Sequence, residues 1–156
     1  MGRTGIAKLA AGIVLALGIA AAGYYQLTRG TAVAGEVTVW KTPSCGCCGA
    51  WVDHMRANGF RVTVHEAEDL RPIKQSRGVP DQLQSCHTAE VAGYTIEGHV
   101  PAAEVKRLLA EKPKARGLAV PGMPIGSPGM EQGAAREAYD VVLFDDARRQ
   151  SVYRRY

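Results

Sequence analysis

Apolar positions change their spacing several times along this chain, and each change marks an element. From Leu9 to Thr28 no side chain is charged, and the run LAAGIVLALGIAAAGYY has no polar face. About 20 residues of helix, rising about 1.5 Å each, span a hydrocarbon core of about 30 Å. Beyond this run the pattern becomes that of a small mixed domain. Val37–Trp40 alternates and is β-prone, which predicts a first strand. Thr42-Pro43-Ser44 breaks it. Cys47–Ala57 then carries Trp51, Val52 and Met55 at helical spacing, with Asn58-Gly59 as the stop. Phe60, Val62 and Val64 define one face of a second strand. Asp69 opens a short helix through Ser76, with Pro72 in its first turn, where proline is tolerated, and Gly78 past its end.

Thr88–Val91 and Tyr94–Glu97 flank Ala92-Gly93 and predict a hairpin. Pro101–Glu111 predicts a helix with Val105, Leu108 and Leu109 as its buried stripe, proline being suited to the first helical position. Residues 117–133 (GLAVPGMPIGSPGMEQG) are too rich in Gly and Pro for a helix or a central strand and predict a long loop wrapped over something. Tyr139–Phe144 is a strand, and Ser151–Tyr156 pairs with it as an edge. No internal repeat is present. A short strand, then cysteines, then a helix, with a Pro-rich loop before the last strands, is the plan of an α/β, thioredoxin-like domain. It would span residues 35–156 and carry an inserted hairpin and the Gly/Pro-rich loop. Residues 1–34 precede it as one N-terminal transmembrane or signal helix plus linker. In thioredoxin-like folds a loop ending in a cis-proline packs on the cysteine motif, and Pro121 and Pro124 both qualify. Fold-level analogy of this kind carries no function by itself.

Charge refines the picture of the leader. The formal net charge of the 156-residue chain is +4. Arg3, Lys8 and Arg29 supply +3 of it from residues 1–34, which contain no acid, so the remaining body is close to neutral. The basic pI of about 9.0 is therefore a feature of the leader, and nucleic-acid binding is not expected. More positive charge precedes the apolar run than follows it, which places the N-terminus in the cytoplasm and the body across the membrane. Ala32-Val33-Ala34 and Ala20-Ala21-Ala22 are A-x-A sites for cleavage, but the run exceeds an ordinary signal core. The leader thus reads as an inner-membrane anchor ahead of a cleaved signal, and either one delivers residues 35–156 to the periplasm.

The cysteines carry the chemistry. Cys45, Cys47 and Cys48 fall in one four-residue window, and Cys86 adjoins His87. A helix N-terminus favours thiolate, which is both the nucleophile of disulfide exchange and a soft metal ligand. Long-range staples do not explain three cysteines in four residues. Zinc prefers two separated ligand pairs. Crowded soft donors favour Cu(I). His87, His99 and Met123 are further candidate ligands, with Met130 behind them. His54, His65 and Met55 read as structural.

Three blocks, TPSCGCCGAWVDHM, SCHTAEVAGYTIEGHVPAAEV and GLAVPGMPIGSPGME, resemble in order the CopG-type periplasmic proteins of copper-resistance operons. The resemblance runs from Val37 to about Phe144, with no departure at a Cys, His or Met position. It implies a thioredoxin-like fold, a C-x-C-C copper site and a role in copper homeostasis or detoxification outside the cytoplasm. It implies Cys45, Cys47, Cys48 and Cys86 as thiolate ligands to one or more Cu(I) ions, with a His and a Met close by. Copper ions and periplasmic copper donor or acceptor proteins are then the expected partners. Cu(I)/Cu(II) redox chemistry is open to such a site, and oxidoreductase, chaperone and store share this ligand set. The competing reading is a metal-free thiol–disulfide oxidoreductase with Cys45 and Cys48 as its catalytic pair.

Overall fold

A computed structural model describes residues 34–147 and 149–156. The apolar run at Leu9–Thr28 lies outside the described residues, as does the anchor-or-signal expectation. Among the described residues no helix is long and apolar enough to cross a membrane.

The elements, in chain order, are β1 (Gly35–Lys41), α1 (Gly46–Ala57), β2 (Phe60–Glu66), α2 (Arg71–Ser76), a single 3-10 turn (Asp81–Leu83), β3 (His87–Val91) and β4 (Tyr94–Glu97). They continue with α3 (Ala102–Glu111), β5 (Gly117–Ala119), β6 (Asp140–Phe144) and β7 (Gln150–Arg155). The strands form one sheet in the order β2-β1-β3-β4-β5-β6-β7. β1 runs parallel to β2 and antiparallel to β3, β3 antiparallel to β4, and β4 parallel to β5. This mixed α/β topology is consistent with a thioredoxin-like arrangement.

Two expectations change. The hairpin is present, but it is no insertion: β3 pairs with β1 along five residues, and β3–β4 forms the middle of the sheet. Residues 117–119 are also strand rather than loop, joining β4 to β6. Leu118 and Ala119 are both fully buried, so this three-residue strand lacks the alternation that announces a half-exposed one.

The two faces of the sheet are covered differently. Val37, Val39, Ala89, Val91, Ile96 and Leu118 pack with Trp51, Val52 and Met55 of α1 and Val105 and Leu108 of α3 in one apolar core. The α1 stripe is the predicted one, extended one turn towards the N-terminus by buried Cys48. Trp51 is fully buried, and its indole N–H donates to the Val100 carbonyl at 2.9 Å. A buried indole needs such a partner. On the other face α2 meets the sheet through polar groups: Lys74 reaches Thr88 and Glu97, and Thr95 donates to the Arg77 carbonyl. The predicted opening of α2 is shifted slightly. Leu70 is its N-cap, and the Asp69 carboxylate accepts the Arg71 backbone N–H at 3.0 Å.

Candidate metal centre

β1 ends at Lys41, and the chain turns through Thr42-Pro43-Ser44 into the first turn of α1. Cys45 is the N-cap of that helix, so Cys45, Cys47 and Cys48 are all delivered to one end of the sheet. Cys45 and Cys48 form a disulfide with Cα atoms 5.4 Å apart. Cys47 is a free thiol whose sulfur lies 3.5 Å from that of Cys45. Cys45 and Cys47 are half-buried and Cys48 is buried.

Cys86 arrives from the other side, at the entrance to β3. Its carbonyl lies 3.9 Å from the Cys48 sulfur. The ligand atoms of Cys45, Cys47, Cys48 and Cys86 lie within 4.8 Å of one another. Those of Cys86, His87 and His99 satisfy the same limit. Cys86 belongs to both groups and joins a sulfur-rich half to an imidazole half.

The imidazole half is electrically neutral and oriented. His99 Nδ1–H donates to the Pro128 carbonyl at 2.8 Å, which leaves Nε2 bare, 3.0 Å from the Cys86 sulfur. A carbonyl behind a histidine is the usual device for fixing the tautomer that offers a metal its other nitrogen. His87 differs. Its Nδ1 lies 3.3 Å from the same sulfur, and its Nε2 is buried with no partner. A proton on Nδ1 avoids stranding an N–H in the core, so His87 donates towards Cys86. Burial pushes both imidazoles below their ordinary value, His87 well below it. Burial, reinforced by the charge of Cys47, pushes the Cys86 thiol up to about 12. A proton on Cys86 donates to His99 Nε2, and a soft cation placed there would displace it.

The Gly/Pro-rich loop wraps over the first turn of α1. Gly129 has φ +86, and a Cβ built on it would stand 2.7 Å from both the Cys47 carbonyl oxygen and the Trp51 nitrogen. Only glycine fits there. Gly98 is similar: at φ +69, a Cβ would meet the Ser85 side chain and the Val120 carbonyl. This approach to the cysteines is not made through a cis-proline. Among the described residues there is no cis peptide bond, so the expectation for Pro121 and Pro124 fails. Met123 is 51 % exposed. It follows Gly122, whose carbonyl accepts the Ser85 hydroxyl, and so lies one residue from an anchor beside Cys86. Met130 is half-buried, and its backbone closes the turn around Ser127. His54 is structural as expected, its Nε2 accepting the Ala102 N–H that opens α3. His65 stacks on Trp40.

The cysteines and histidines that the sequence singled out are therefore brought within 4.8 Å of one another in two groups that share Cys86. The sequence did not reveal the groups that hold them: the Pro128 carbonyl, Gly129, and Glu97, which bonds to the Ser85 N–H. A backbone carbonyl has no signature in a sequence. The crowding of Gly and Pro in residues 117–133 was the one available signal.

Comparison with known proteins points the same way. Residues 83–130 match a family described as "Protein of unknown function, DUF411". No curated protein sequence matches the chain. Two solved structures are similar to it. "Copper resistance protein copG- Form 2" is 44 % identical with a TM-score of 0.75, the match covering 78 % of this chain and 98 % of that one. "Copper resistance protein copG- Form 1" is 45 % identical with a TM-score of 0.74, covering 78 % and 96 %.

Proposed function

The chain belongs to the CopG family of copper-resistance proteins, and on that premise we propose that it binds Cu(I) in the periplasm in copper homeostasis or detoxification. The observation that carries this reading is the sharing of Cys86 between a four-sulfur group and a Cys-His-His group, each within 4.8 Å. Thiolate and imidazole are the donors a soft, low-valence ion selects. Cys45, Cys47, Cys48 and Cys86 hold the copper as thiolates. His99 is the first imidazole ligand, because its Nε2 is already bare. His87 and Met123 are further donors. Four thiolates exceed what one Cu(I) commonly takes, so sulfurs shared between ions are expected.

Cys45 and Cys48 are joined in this structure, so loading them requires two electrons and two protons. Two Cu(I) ions passing to Cu(II) supply the two electrons, and reduction of the disulfide then yields two thiols. That balance gives the site a route to redox activity. The leader acts as the export element, anchored or cleaved, and copper donor or acceptor proteins are the partners.

The purified full chain, reduced and kept from oxygen, is titrated with Cu(I) against a competing chelator. Tight binding that disappears in a Cys45→Ser, Cys48→Ser variant is expected. Equal binding by both proteins would sink the copper reading. The Cys45–Cys48 disulfide itself favours one second reading, a metal-free thiol–disulfide oxidoreductase. Disulfide reductase activity on a protein substrate, retained after copper is stripped, would establish it. The extra Cys47 thiol and the Cys86–His99 contact have no task in that chemistry.

A further inference from the structure

On the polar face of the sheet, Lys74 and Glu97 meet in the interior. Their side chains are 7 % and 0 % exposed, and Nζ lies 2.5 Å from Oε1. Glu97 accepts two more hydrogen bonds, from the Ser85 backbone N–H at 2.6 Å and the Thr88 hydroxyl at 2.7 Å. Lys74 also donates to the Thr88 oxygen at 3.1 Å. Ser85 and Thr88 flank Cys86 and His87. One carboxylate thus grips the backbone just before the ligand pair and the side chain just after it.

A buried ion pair is a costly way to seat a short helix on a sheet. Desolvation costs several kcal/mol per ion, and apolar residues of similar volume often serve as well or better. The segment being gripped explains what the pair is for. The 3-10 turn ends at Leu83 and β3 begins at His87, so Cys86 precedes the first residue of the strand. Glu97 sits opposite Thr88 on β4 and reaches back to Ser85. It supplies a bond there that the strand ladder does not.

We infer that Glu97, braced by Lys74, is a positioning residue for Cys86, fixing the thiol where the sulfur and imidazole halves can share it. The inference rests on the Cu(I) reading above. Partners that orient a metal ligand from behind typically contribute 10–100-fold in affinity.

The test is a Lys74→Met, Glu97→Leu double variant of the full chain, which removes both charges together and so leaves no unpaired buried charge, while freeing the Ser85 N–H. Two readouts are needed. In the copper-free, reduced protein, Cys86 should alkylate about fivefold faster, the worth of one hydrogen bond, while Cys47 alkylates at its former rate. In the loaded protein, Cu(I) affinity should fall about 10–100-fold and the thiolate-to-Cu(I) absorption should shift. Unchanged alkylation with unchanged affinity and absorption in a folded variant would overturn the inference. A wild-type chain that fails to bind Cu(I) defeats the copper reading alone, and the Cys86 alkylation rate then decides the inference by itself. If the double variant does not fold, Glu97→Gln, which keeps the side chain's shape but removes the charge that strengthens its bond to the Ser85 N–H, takes its place under the same criteria.

Discussion

The two halves of the site meet at Cys86 and differ in how they are held. The sulfur half sits on the first turn of α1, half-exposed at Cys45 and Cys47, with two of its sulfurs joined to each other. The imidazole half lies in the interior, with His87 and His99 fully buried and His99 aimed by a backbone carbonyl. One half carries a covalent bond between two of its sulfurs; the other is oriented by a backbone hydrogen bond. A rigid half lowers the ordering cost of capture. A half near solvent can exchange electrons and ions. Cys86 must serve both, which explains why its segment is braced from the polar face of the sheet.

The most damaging change should be at the shared residue. Cys86→Ser removes the sulfur that both halves share, and Cu(I) affinity should fall by more than the roughly 100-fold upper bound for a supporting partner. Chelator competition measures it. A loss no greater than that of either histidine variant would mean that the halves are independent sites. His99→Ala should come next, at about 10–100-fold, because it discards a nitrogen already oriented for metal. His87→Asn should cost less. For His87 Nδ1 to bind metal, its proton must move to Nε2, where no acceptor waits. Reversal of that order in a parallel titration would show that His87 is the principal nitrogen ligand.

Gly129→Ala strikes both halves through one contact. Its Cβ must displace the loop from α1, and the backbone would hold a strained left-handed conformation costing about 1–3 kcal/mol. The same loop carries the Pro128 carbonyl behind His99. A lower urea midpoint and weaker Cu(I) binding should therefore appear together. A destabilised protein with intact affinity would separate loop packing from the site.

These contrasts also explain what was legible in the chain. The α1 stripe of Trp51, Val52 and Met55 was readable because helical spacing repeats, and the cysteine window because three thiols in four residues have few other uses. The central place of the hairpin was not, since strand order depends on pairings far apart in sequence. Nor was the Lys74–Glu97 pair, 23 residues apart on two elements. Each member alone reads as an ordinary surface charge. The disulfide was one of two fates open to Cys45 and Cys48, and residue spacing does not choose between them.

Acid should also affect the halves unequally. Burial holds His54, His87 and His99 below the ordinary imidazole value of 6.5. The unfolded chain takes up these protons near that value, the folded domain only at lower pH. Their contribution to stability is therefore complete above pH 6.5 and is lost as pH falls through the folded values. Urea unfolding of the copper-free protein should give a lower midpoint at about pH 5 than at about pH 7.5. A flat profile would show that these imidazoles take up protons in the folded domain at the same pH as in the unfolded chain.

The smallest equilibrium effect should belong to Met123. Its side chain is half exposed, and its nearest tie to the site is the Gly122 carbonyl bonded to Ser85. A thioether there is a soft donor at the edge of the site, with little burial to reinforce it. Met123→Leu keeps size and hydrophobicity and removes only the sulfur's lone pairs. Affinity should change by roughly twofold, the scale of an ordinary surface substitution. The rate of copper transfer to an external chelator, followed by stopped flow, should fall more than the affinity does. An exposed donor helps an ion leave because it can hold the ion while buried ligands release it. If the substitution instead lowers affinity as much as His99→Ala, Met123 closes over the copper as a full ligand. The division between a built half and an exchanging half would then have to be redrawn to include the loop.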